Sequence, residues 1–157
     1  SSSSLWVHDP GVGSWSQLTN PGSVELEASR EAAGALFFFA RRPDPATSTT
    51  PFALWSSDGT PGGTAPVEGV PPTDNPGGGL QSLGDRLVFK ACDEPTGCEL
   101  WSVAANGTDP RRETDLWHGP RSSDPYFIGK SDRALYFSAL DPDVGREVWS
   151  IEMEPLR

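Results

Sequence analysis

Asp58, Gly59 and Thr60 open the run DGTPGGT behind a Leu-Trp pair, a stretch that could cradle a phosphate, hold a metal or turn a hairpin. A phosphate loop needs a Lys-Ser/Thr step and a helix after its glycines, and neither follows here. A turn uses every residue: Asp58 accepts from amides two residues on, Gly59 supplies a positive φ, and Thr60 resumes the strand. For metal chemistry the candidates are Asp141, Asp143 and Glu147 in DPDVGRE, whose spaced oxygens around a glycine resemble calcium ligands. EF-hand spacing is absent, and the sister run DEPTGCE keeps Asp93, Gly97 and Glu99 but shifts its second acid to Glu94. A glycine-containing hairpin turn is the expectation, with no cofactor; calcium is the metal alternative at these three residues.

Cys92 and Cys98 bracket a five-residue turn between the apolar segments RLVF and ELW. Across a hairpin mouth they come within disulfide reach. Two ligands make a poor zinc site, and a redox pair favours Cys-x-x-Cys. A structural disulfide is favoured, which implies export from the cytoplasm. His8 and His118 have no Cys or His at ligand spacing, and no Gly-x-Ser-x-Gly elbow is present. No catalytic residue is assigned.

The elements that must position these residues follow from composition. Gly and Pro make up about a fifth of the 157 residues, and sustained helical periodicity is missing. Short strands with frequent turns are expected. Twenty-two acidic against 12 basic residues give a net charge of −10, with no basic stripe to neutralise phosphates, so nucleic acid is excluded as a partner. No apolar run reaches the roughly 18 residues of a membrane span, so no membrane insertion is expected. The serines at 1–4 read as a linker.

A repeat organises the rest. The Trp of each Leu-Trp or Val-Trp pair falls at Trp6, Trp55, Trp101 and Trp149, at intervals of 49, 46 and 48 residues. LFFFA, LVFKA and LYFSA, ending at Ala40, Ala91 and Ala139, keep intervals of 51 and 48 and carry Phe38, Phe89 and Phe137. The copies divide a single domain into units at 5–53, 54–99 and 100–147, with a terminal strand at 148–152. Each unit reads as four short antiparallel strands, the form of a propeller blade. The repeated Trp and Phe residues are the expected core between blades. Trp15 and Trp117 fall outside that register, on strands expected to be the fourth of their blades, and are the candidates for ligand contact.

ALWSSDGTPGGT, GCELW, SSDPYFIG, LYFSA and GREVW together resemble the ELWxxDGT repeat family of exported bacterial proteins. Copies depart from the pattern: Pro10 replaces the glycine after Asp9, and two extra residues precede Gly107. The resemblance implies a propeller-like scaffold, secreted or at the cell surface, with no established catalytic activity. The expected fold is all-β, about three four-stranded blades, either an open arc of a longer protein or half of a ring of about six blades completed by a second copy. The expected function is non-catalytic recognition of protein or glycan. The alternatives are an accessory segment of a secreted hydrolase and a carbohydrate-binding lectin.

Overall fold

The computed structural model describes residues 4–19, 25–41, 50–76 and 79–152; residues 1–3 of the serine run lie outside them. The chain is all-β, and the described residues form four antiparallel sheets that do not close into a ring. A hairpin of β1 (Trp6–Asp9) and β2 (Ser14–Gln17) comes first. The first full sheet is a meander of β3 (Glu25–Ala32), β4 (Ala35–Arg41), β5 (Ala53–Ser57) and β6 (Thr64–Pro66). The second repeats it with β7 (Gln81–Leu83), β8 (Arg86–Asp93), β9 (Gly97–Ala104) and β10 (Arg111–Arg112). The last sheet has three strands, β11 (Tyr126–Lys130), β12 (Ala134–Asp141) and β13 (Gly145–Glu152).

The marks that repeat in sequence sit at one place in each sheet. Phe38 is opposite Trp55, Phe89 opposite Trp101 and Phe137 opposite Trp149. Because side chains alternate across a strand, each such pair defines one face and its neighbours the other. On β4, Phe37 and Phe39 point away from Phe38 and join Leu54 in a core with Leu87, Phe89 and Val103 of the second sheet. Phe39 and Phe89 meet edge to face at 5.8 Å across that junction. The opposite face of the second sheet, with Val88 and Leu100, packs on Leu135, Phe137 and Ala139 of the last. Each sheet thus shows its Phe–Trp face to the sheet before it and its other face to the sheet after. Phe37, Phe39, Phe89 and Phe137 are all fully buried, and each such side chain contributes about 1.5–3 kcal/mol to folding.

Two expectations are corrected. Trp6 is 51% exposed rather than packed between sheets. It lies on the face of β1 that also carries His8, opposite Trp15 on β2, and among the described residues no sheet lies beyond it. The fourth strand of the second sheet is Arg111–Arg112, not the segment Glu113–Gly119. Buried Glu99 takes hydrogen bonds from Thr114 and Leu116, which draws that segment across the sheet instead of along its edge.

Candidate functional site

The DGT run is a closed polar turn. Asp58 Oδ1 accepts from the Thr60 amide at 2.9 Å and the Thr60 hydroxyl at 2.7 Å. The Thr60 hydroxyl in turn accepts from the Gly63 amide at 3.0 Å, and the Thr64 hydroxyl donates to the Thr60 carbonyl at 2.7 Å. Gly59 has φ +88°, and a Cβ on Gly63 would lie 2.1 Å from the Asp58 carboxylate. The Thr60 hydroxyl and amide hold the Asp58 pKa below its ordinary 3.8. The same device recurs two residues late in the next copy. Asn106 Oδ1 accepts from the Thr108 amide at 3.1 Å and hydroxyl at 2.7 Å, with Gly107 at φ +81°. An amide replaces the carboxylate without loss of the turn, so the bonds rather than the charge are what the position requires.

Asp141 is also occupied in a turn: its Oδ1 accepts from the amides of Asp143 at 2.8 Å and Val144 at 3.2 Å. Among the described residues no three His, Cys, Asp or Glu side chains converge on a point that could hold a metal ion. Asp141, Asp143 and Glu147 are therefore not assembled as a calcium site. Asp93 does the same work in the sister hairpin, accepting from Thr96.

That sister hairpin is the most constrained part of the molecule. Cys92 and Cys98 face each other in the ladder and form a disulfide, with a Cα separation of 4.0 Å. Behind it the buried Glu99 accepts from the Thr114 hydroxyl at 2.7 Å, the Leu116 amide at 3.4 Å and the Ser123 amide at 3.3 Å. These bonds satisfy a carboxylate that would otherwise be costly to bury. Lys90 Nζ reaches Asp124 at 2.8 Å and Arg146 reaches the same carboxylate at 3.5 Å. Lys90, and then Arg146, hold the Asp124 pKa below its ordinary 3.8. The ions tie the second sheet to the strand that starts the last one.

The largest cleft opens between the second and last sheets. It encloses about 490 Å³ and is lined by Leu83, Val88 and Ile151 together with Arg86, Arg111 and Glu113. Arg86 is locked: its Nε donates to Ser102 Oγ at 2.7 Å and its Nη1 to Asp109 at 2.7 Å. Arg111 Nε donates to Glu113 at 2.8 Å and is the more exposed cation. The ladder register shows how the cleft arises. Arg111 stands opposite Ser102 as Ala65 stands opposite Ser56 in the first full sheet. Two positions on, Glu113 occupies the place of Val67, and Val67 fills the core between the first and second sheets. The second junction thus replaces apolar filler with a charged, open floor. Sequence reading missed this site, since its residues carry no motif; only their departure from the repeat could have marked them.

Of the aromatic candidates, Trp15 is 66% exposed and stacks on His8 at 4.6 Å between ring centres. Trp117 is half-buried, with the Arg121 guanidinium 5.5 Å over its ring. His118 is exposed and reaches Asp115 at 3.2 Å. The structure brings neither Trp into the cleft. No protein-family model matches the chain, and no curated protein matches it either.

Proposed function

We propose that this chain is a non-catalytic, exported recognition module of the ELWxxDGT type, whose sheets hold a contact surface for a glycan or a protein. The observation that carries this reading is the division of labour between repeated and unrepeated residues. Phe38, Phe89, Phe137 and the tryptophans opposite them are spent on holding sheets together. Arg86, Arg111 and Glu113, which break the repeat, line the one junction that is open and charged. A rigid frame with locally altered positions is how repeat folds present binding surfaces. Both charge signs above an apolar floor suit a hydroxyl-rich or zwitterionic ligand better than a purely apolar one.

Export is supported by the Cys92–Cys98 disulfide, which persists in oxidising compartments. No helix is long and apolar enough to cross a membrane among the described residues. The test is binding of the intact chain and of Arg111→Ala to a glycan array and a peptide array. A signal lost in Arg111→Ala supports the reading. No signal on either array at high-micromolar protein, or one that Arg111→Ala leaves untouched, overturns the cleft as its site.

A further inference from the structure

Both ends of the row of sheets expose an apolar face, and the internal repeat says what kind of surface each one fits. At the far end, Tyr136 and Val148 on the last sheet are 41% and 66% exposed. Their ladder positions are those of Phe37 and Leu54 in the first full sheet and Val88 and Leu100 in the second. All four of those residues are at most 1% exposed, because the next sheet covers them. Tyr126 adds to the patch from β11, opposite Ser138 in the ladder. At the near end, Trp6 and Trp15 stand on the outer face of the β1–β2 hairpin, 51% and 66% exposed. Trp6 holds the place of Trp101 and Trp149, the residues that in this molecule pack against the sheet before them. One end offers the face that each internal junction covers, and the other offers the face that does the covering.

We infer that the Trp6–Trp15 face of one copy seats on the Tyr136–Val148 face of a second copy, head to tail, continuing the sheet-to-sheet packing already used twice within the chain. The surfaces are different patches of the molecule, so the contact is heterologous and extends or closes a row of copies; it is not a two-fold dimer. The occupant is another copy because the covering element must carry a Trp at this strand position, and the chain presents one uncovered. Large exposed aromatic patches of this kind mark association surfaces. With a net charge of −10 per copy, the copies repel at long range, so added salt strengthens the association.

The experiment is sedimentation velocity of the intact chain across a concentration series, at low and moderate salt, with one blocked end at a time. Val148→Asp blocks the tail and Trp6→Asp blocks the head; Tyr136→Asp and Trp15→Asp are second variants at each end, and melting curves confirm that each is folded. The wild type is expected to associate, and more strongly in salt. Each blocked variant alone is expected to raise the dissociation constant by roughly a hundredfold, since an unpaired carboxylate would be buried at the contact. Mixing the head-blocked with the tail-blocked variant restores a pair and nothing larger, because one good end of each kind remains. A wild type that stays monomeric throughout the series overturns the inference. So does loss of association on blocking the tail alone, which would mean tail-to-tail pairing, or a mixture that fails to pair.

Discussion

Gly97 and Gly145 occupy the same place in sister hairpins, and replacing each with alanine separates two costs that usually arrive together. Both have left-handed backbone, φ +67° and +85°. Forcing alanine into that region costs about 1–2 kcal/mol, partly offset because alanine also restricts the unfolded chain. At Gly145 nothing lies within 4 Å of an added Cβ, so Gly145→Ala should cost about 1 kcal/mol in all. At Gly97 the Cβ would meet the Arg121 carbonyl oxygen at 2.3 Å and its carbon at 2.5 Å, against an ordinary contact of 3.4 Å or more. Those are backbone atoms and cannot rotate aside. The segment would have to withdraw by about 1 Å, yet it is pinned by bonds from the Cys98 amide to Ser122 Oγ at 2.9 Å and from the Ser123 amide to Glu99 at 3.3 Å. Losing these costs about 1 kcal/mol each, and more at Glu99, whose buried carboxylate would keep fewer donors. Gly97→Ala is therefore expected to cost about 3–4 kcal/mol, some 2–3 beyond Gly145→Ala. For a chain of this size that lowers Tm by about 10 °C against about 3 °C. Urea unfolding with the disulfide intact, checked by calorimetry, measures both. Equal destabilisation of the two variants, within about 0.5 kcal/mol, would refute the claim that the Arg121 backbone sets the requirement at Gly97.

Three further outcomes are expected. Replacing Cys92 and Cys98 together by serine opens a loop with a sequence separation of 6 and should cost about 2 kcal/mol; mass spectrometry after alkylation without reductant should show no label on the wild type. Asp58→Asn should leave Tm nearly unchanged, because Asn106 makes the same bonds in the sister turn, whereas Asp58→Ala should lower it clearly; equal effects would mean that the carboxylate charge matters more than its hydrogen bonds. Asp124→Asn should cost about 1 kcal/mol at pH 7, solvent screening of its half-exposed side chain included. Because the folded pKa of Asp124 lies below 3.8, its contribution is complete above that value and disappears as pH falls through the lower folded one. The gap between wild type and Asp124→Asn should therefore narrow in acid and stay flat above pH 5; a gap that widens in acid would contradict the pairing with Lys90 and Arg146.

Much of this molecule was legible as sequence because its cues are local. Alternation in LFFFA, LVFKA and LYFSA marks strands whose two faces are both apolar, and the period of the Leu-Trp pairs marks their stacking. Cys92 and Cys98 announce their bridge because a short hairpin leaves them opposite each other. The Asp58 turn is equally local, resting on bonds between residues a few positions apart. What escaped the sequence depended on which sheet lies beside which. Trp6, Trp55, Trp101 and Trp149 are one position in the repeat, yet Trp6 is exposed because burial belongs to a neighbour and not to a residue. Glu99 and Glu147 are likewise equivalent in sequence, and only Glu99 is buried, since the 114–123 segment crosses over it. The cleft at Arg86, Arg111 and Glu113 exists because two distant substitutions in the repeat fall at one junction. Sequence alone determined the strands, their turns and the repeated core, all products of short-range sterics and periodicity; the tertiary structure alone decided which copies of each repeated residue are covered, because that depends on contact between segments far apart in the chain.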